Sequence, residues 1–252
     1  SKVEDIDKLM LAIGENDDDK EEVKYVDIII SEWMGYFLLY ESMLDTVLYA
    51  RDRWLHPTKG ILLPDKARMY ICGMEDAHMK RERLDFWQDV YGFDMAPLRK
   101  VAIQEPVVDV VEANRIVTDS VLILELDIAT CTRKDLTFDS KFSLVVQRND
   151  FIHAFCVYFE CAFSAGPLQH PVGFSTAPFC PYTHWKQTLL YIQDLSSSDD
   201  SLTVCTQEKI EGRIACAPNS NNRRDLDIQL EILKVQGRYC NVSNHKMSYR
   251  LR

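Results

Sequence analysis

Residues 26–54 read VDIIISEWMGYFLLYESMLDTVLYARDRW, and this stretch decides the fold class. Its opening VDIII is a short apolar run suited to a buried parallel strand, while Leu44 to Trp54 places apolar and aromatic residues at helical spacing. Strand, loop and helix in that order predict an α/β unit. Upstream, Asn16 to Glu22 is polar and charged and reads as a connector, and the acidic run Glu15 to Glu22 reads as an exposed loop.

Downstream, Gly60 and Pro64 punctuate the chain, and the pattern turns to short alternating strands. A domain boundary is therefore expected near Pro64. The clearest strand is 226–233, where Leu226, Ile228, Leu230 and Ile232 face one way and Asp227, Gln229 and Glu231 the other. Further strands are expected at 66–74, 121–131, 142–148, 152–163, 187–193 and 209–216. Segment 75–100 interrupts them as an amphipathic helical piece ending near Gly92. Its apolar set, Leu84, Trp87, Val90, Tyr91 and Phe93, is large for an excursion, so the segment either folds back on its own domain or meets another chain.

With 252 residues, 46% of them hydrophobic, the chain can bury a substantial core. No stretch approaches the roughly 18 uninterrupted apolar residues that span a bilayer, and SKVEDIDK is not a signal peptide. The expectation is a soluble intracellular protein with no membrane partner. Cysteines at 72, 131, 156, 161, 180, 205, 216 and 240 show no CxxC pair and no zinc spacing, so buried reduced thiols and no metal are expected. The Asn241-Val242-Ser243 sequon matters only in a secreted protein. A formal charge of -10 disfavours nucleic acid and permits a cationic partner.

Glu32 follows the predicted strand at its carboxyl end, where open α/β sheets place ligand sites, and Glu41 comes nine residues later. The intervening WMGYFLLY is apolar with one glycine, so a tight excursion can return both carboxylates to one apolar pocket. Two such carboxylates repel unless a cation sits between them. A guanidinium suits that need, because its planar fork offers donors to both acids and it keeps its charge. Trp33, Tyr36 and Tyr40 are positioned to flank the cation. The alternative is a pair of surface or capping glutamates around a turn, with Glu41 as first-turn acid of the following helix.

Read whole, Ser31 to Leu44 (SEWMGYFLLYESML) resembles the double-glutamate loop of the protein arginine methyltransferases, and Pro181 to Trp185 (PYTHW) resembles the family's THW loop. LYARDRWL, VYGFDM, VQRNDFIHAF, GFSTAP and NNRRDLDIQL extend the resemblance along essentially the whole chain. The resemblance implies an α/β plus mainly-β chain. Residues 1–63 would be the C-terminal part of a Rossmann-like donor domain, and 64–252 a β-barrel substrate domain with 75–100 as its dimerisation arm. It implies transfer of a methyl group from S-adenosylmethionine to protein arginine, leaving S-adenosylhomocysteine.

By the same resemblance, Glu32 and Glu41 grip the guanidinium, His184 receives or relays the proton, and Tyr36, Tyr40, Met43 and Trp185 line the substrate side. Val3, Glu4, Met43 and Thr46 fall on the cofactor side, with Glu4 at the adenine edge. For Met43 the alternative is ordinary core packing, and for His184 and Trp185 a structural role in their loop. THW and an intact ESM favour the type I branch, which makes monomethyl and asymmetric dimethylarginine. Implied partners are arginine-containing proteins rich in glycine and arginine, and a homodimer or heterodimer that can assemble further, in the cytoplasm and nucleus.

The family's glycine-rich loop, ribose-binding acid and N-terminal helices have no counterpart in this sequence, so the N-terminal half of the donor domain is expected to be absent from the chain. Two rival functions follow: a noncatalytic regulatory paralogue that dimerises with an active enzyme, and a β-barrel module that only recognises arginine.

Overall fold

The computed structural model describes residues 2–12, 20–166, 170–195 and 200–252. Strands β1 (Leu9–Ala12) and β2 (Lys20–Val23) pair antiparallel, with Leu9 opposite Val23. Residues 20–22, expected as connector, are therefore strand, and Lys8 Nζ donates to Glu22 at 2.7 Å. Residues 15–19 of the acidic run lie outside the described residues.

Next come β3 (Ile28–Ile30), α1 (Leu44–Trp54) and β4 (Ile61–Leu63); β3 and β4 pair in parallel, with α1 in the connection. This βαβ order matches the α/β expectation. The strand is shorter and less buried than its composition suggested, since Ile28 and Ile30 are 52% and 73% exposed and only Ile29 packs on the core. Helix α1 buries Leu44, Val47, Leu48 and Trp54, with Asp45 in its first turn and Arg51 and Arg53 in its last, the polarity its dipole favours.

After Pro64 the chain is strand-rich. It runs through β5 (Lys66–Met74), α2 (Ala77–Arg83), α3 (Ala96–Ala102), β6 (Val107–Asp109), β7 (Val121–Asp127), β8 (Phe138–Val145), β9 (Asp150–Ile152) and β10 (Ala154–Phe163). It ends with β11 (Val172–Ser175), β12 (Gln187–Tyr191), β13 (Leu202–Val204), β14 (Lys209–Pro218), β15 (Leu226–Gln236) and β16 (Asn241–Leu251). One sheet has the order β6-β12-β10-β5-β7 with β11 on β10; a second is β16-β15-β14-β8; β9 pairs with β13. Their inner faces share one core, in which the Phe142 and Phe155 rings meet across the sheets at 6.1 Å.

The expected closed barrel is not a closed ladder among the described residues. At one seam Tyr249 Oη donates to Tyr191 O at 2.7 Å, Gln193 Nε2 to Ser248 O at 3.2 Å, and His245 Nε2 lies 2.6 Å from Gln193 O. At the other, Asp119 N–H donates to Val145 O at 3.0 Å and accepts from Val145 N–H on its carboxylate at 2.7 Å. At the first seam side chains stand where strand-to-strand bonds would close the sheet, and at the second the main chains meet only in an isolated bridge between Thr118 and Val146.

Segment 75–100 holds α2, a 3-10 turn at Asp85–Gln88 and the start of α3, so it is two short helices where one ending near Gly92 was expected. Leu84 and Ile103 tuck into a second core with Cys72, Cys156 and Tyr191, and Arg99 pins the segment through Asp85 at 3.1 Å and Asp200 at 2.9 Å. All eight cysteines are free, five of them buried.

Candidate active site

The loop after β3 is folded from within. Trp33, Met34, Phe37, Leu38 and Leu39 are buried, Gly35 N–H donates to Leu38 O at 3.0 Å, and Tyr40 N–H donates to Tyr36 O at 3.1 Å. Phe37, Leu38, Glu41 and Ser42 take positive φ values of 51°, 59°, 75° and 56°, a costly backbone that surrounding contacts must hold. A Cβ on Gly35 would lie 2.1 Å from Tyr40 O, so only glycine lets the chain double back here. Burial of Trp33 removes it from the expected ring around a cation, because its indole is spent on the core.

Glu32 stands exposed at the carboxyl end of β3 and has no ion-pair partner among the described residues. Glu41 is half-buried and held from across the molecule. Its N–H donates to Arg224 O at 2.8 Å, and Arg224 Nη2 donates to its Oε1 at 2.7 Å. The next residue, Ser42, donates its hydroxyl to Arg223 O. Glu41 is not the first-turn acid of α1. That place belongs to Asp45, which faces Arg223 at 3.3 Å and Arg133 at 3.4 Å. Tyr36 and Tyr40 stack at 6.4 Å, and burial, then the charges of Asp225 and Glu41, push the Tyr40 phenol up.

The Thr183-His184-Trp185 loop reaches the same region. Trp185 Nε1 donates to Met34 O at 2.8 Å, and its ring stacks on Phe174 at 5.0 Å and meets Phe159 edge-on at 5.8 Å. His184 is exposed with its ring centroid 3.9 Å from that of Trp185. An open groove of about 580 Å³, lined by Lys66, Arg68, Glu160, Phe174, Tyr182 and Thr183, runs off this loop and touches neither Glu32 nor Glu41.

On the other side of α1, Thr46 Oγ1 donates to Glu4 Oε1 at 2.6 Å and Tyr49 Oη to Glu4 O at 3.4 Å. The Thr46 hydroxyl holds the Glu4 carboxyl below its ordinary range. Val3 is half-buried beside it, and Met43 is half-buried and packs on the core. Sequence reasoning missed the arginines at 133, 223 and 224. The only signal for the last two was a doubled cation in the polar turn NNRRD between two strands.

A family profile described as the arginine methyltransferase oligomerization subdomain matches residues 65–236, more than half of the chain. Among curated proteins, the probable protein arginine N-methyltransferase 1.2 of Arabidopsis thaliana is 51% identical over 221 residues, covering 88% of this chain and 58% of its own length. Protein arginine N-methyltransferase 1 of Dictyostelium discoideum is 52% identical over 209 residues, covering 83% and 59%. The chain thus spans about three-fifths of these relatives. Of solved structures, a Trypanosoma brucei PRMT1 enzyme-prozyme heterotetrameric complex with AdoHcy is similar with TM-score 0.86 and 40% identity, covering all of this chain and 72% of that one. Arabidopsis thaliana protein arginine methyltransferase 10 follows with TM-score 0.77 and 26% identity, covering 100% and 74%. With its strand-rich part matched over residues 65–236 by that profile, the chain belongs to the protein arginine methyltransferase family.

Proposed function

We propose that the protein is an S-adenosylmethionine-dependent protein arginine N-methyltransferase of the type I branch, producing monomethyl and asymmetric dimethylarginine. One observation carries this reading: Trp185 Nε1 donates to Met34 O at 2.8 Å, which ties the His184 loop to the loop that bears Glu32 and Glu41. Supporting it, relatives about half identical to the chain carry the methyltransferase name.

Residues on the cofactor side fit the donor. Glu4 is an exposed acceptor whose carboxyl Thr46 already keeps low, so it is ionised at neutral pH and suited to an exocyclic amine, with Val3 and Met43 alongside. S-adenosylmethionine, when bound, supplies an electrophilic methyl on its sulfonium. The chain's own residues do the rest. Glu32 and Glu41 grip two nitrogens of the substrate guanidinium and draw its positive charge toward themselves, which leaves the lone pair of the third nitrogen available. Tyr36, Tyr40 and Trp185 wall the channel and fix the approach, and His184 accepts the proton that the methylated nitrogen releases.

In this reading residues 1–63 form the donor side, supported by the parallel β3–α1–β4 unit, and 64–252 form a barrel-like substrate domain stitched at its seams. Segment 75–100 is its arm for a homodimer or heterodimer, supported by the exposed Tyr91 and Phe93 and by the oligomerization profile. Substrates are glycine- and arginine-rich segments, and the compartments are cytoplasm and nucleus, in keeping with eight free thiols. A regulatory subunit is the second reading. It is favoured by a Glu41 carboxylate already paired with Arg224, and the Trypanosoma brucei relative is itself described as a complex of enzyme and prozyme.

Transfer of labelled methyl from S-adenosylmethionine to an Arg-Gly-Gly peptide tests the two readings. The full-length protein is expected to transfer, and Glu41→Gln to lose about a hundredfold or more. No transfer by a folded, donor-binding protein selects the regulatory reading.

A further inference from the structure

We infer that the tip of the β14–β15 hairpin, residues 219–225, is the positioning element for the Glu41 carboxylate, with Arg224 as the positioning residue; this rests on the two-glutamate reading above. The tip is built before it touches the site. Asn219, 4% exposed, accepts from the N–H groups of Asn221 at 2.9 Å and Asn222 at 3.1 Å, and its Nδ2 donates to both carboxylate oxygens of Asp227 at 2.8 and 3.0 Å. Asn222 donates from Nδ2 to Asp225 Oδ1 at 2.7 Å and accepts from Arg224 N–H at 3.2 Å. Asp225 N–H closes the turn on Asn222 O at 3.0 Å. These bonds lie within residues 219–227, so the tip is a rigid body carried by the four-stranded sheet.

That body meets the loop at consecutive residues. The Arg224 carbonyl takes the Glu41 N–H and its guanidinium takes Oε1, while the Arg223 carbonyl takes the Ser42 hydroxyl. Glu41 and Ser42 both have positive φ, which two non-glycine residues hold only when outside contacts over-determine them. One residue therefore sets both the backbone and the charged end of Glu41. With Oε1 committed to Arg224, Oε2 is the oxygen presented to an incoming guanidinium, so Glu41 offers a single aimed acceptor where a free carboxylate would swing as a two-oxygen fork. Arg224 also adds a positive charge beside the seat, which does nothing to attract a cationic substrate. Removing it should spoil orientation without weakening attraction, and those two effects separate in kinetics.

Steady-state methyl transfer to an Arg-Gly-Gly peptide would be measured for the full-length protein, Arg224→Ala, Arg224→Lys, Glu41→Gln and the double variant R224A/E41Q. Expected is a fall in kcat of about tenfold or more for Arg224→Ala with peptide KM not raised, and partial recovery in Arg224→Lys. In the Glu41→Gln background the Arg224 change should add nothing to the residual rate, because its target is gone. A kcat for Arg224→Ala within about twofold of wild type overturns the proposal, as does an undiminished further loss in the double variant. Should Arg224→Ala fail to melt cooperatively, Arg224→Lys and Arg224→Gln carry the same kcat criterion. A wild-type rate in Glu41→Gln overturns the two-glutamate reading itself. A wild-type rate in Arg224→Ala with Glu41→Gln inactive removes only the positioning role.

Discussion

Asp65, 7% exposed at the start of β5, remains a charged group in a place that disfavours charge. Burial pushes its carboxyl up, but Ser164 donates to it from both hydroxyl and backbone N–H, and the sum holds it below the ordinary range. A depressed folded pKa stabilises above the unfolded value near 4 and loses that contribution as pH falls through the folded one. Asp65→Ala is expected to cost about 2–3 kcal/mol in urea unfolding at neutral pH, with the gap to wild type closing on acidification. Gly35→Ala drives a Cβ to 2.1 Å from Tyr40 O, so the turn must open. About 1–3 kcal/mol of stability and most methyl transfer should be lost, read by melting and by the labelled-peptide assay. At this scale the sequence singles out the two proposed acids but not the arginine that meets one of them. Glu32 and Glu41 announced themselves as charges around an apolar run, whereas Arg224 differs from any surface arginine only by where the fold carries it.

Among the elements, α1 occupies Leu44–Trp54 as its spacing predicts, and β5 likewise matches at Lys66–Met74. In α1 the apolar side chains follow one period against one core, while β5 sends Ala67, Met69 and Ile71 to the main core and Cys72 and Met74 to the second. Strand β16 went unread because only Met247–Leu251 alternates cleanly: earlier, His245 faces a seam, where its imidazole meets Gln193 O, so a polar residue holds an inward place. The β1–β2 hairpin hid behind charges that an exposed two-stranded ribbon tolerates. Helix α1 is fastened to the strand-rich part by Arg51, whose guanidinium donates to Ile128 O at 2.8 Å and Cys131 O at 2.7 Å. Arg51→Met keeps the stem and removes both bonds. It should lower stability by about 2–3 kcal/mol and speed hydrogen exchange across 44–54 relative to β15.

For the whole molecule, the segment around α2 and α3 leaves Phe86, Tyr91, Phe93 and Val101 exposed at 45%, 92%, 70% and 63%. So dense an apolar set suits another protein surface. Tyr91→Ser with Phe93→Ser is expected to shift sedimentation velocity toward the monomer while leaving the melting of the subunit nearly unchanged, since neither ring is part of a core. Burial acts on the thiols too, pushing Cys161 and Cys216 up to about 12. Native labelling at pH 8 should therefore spare both and reach them only after unfolding. The partnership of Glu41 with Arg224 spans 183 positions of sequence. On the ribosome the acid is made 183 residues before its partner, so a nascent chain that has already formed α1 still carries an unpaired Glu41. A polypeptide halted before residue 224 would carry α1 beside a Glu41 that lacks this partner.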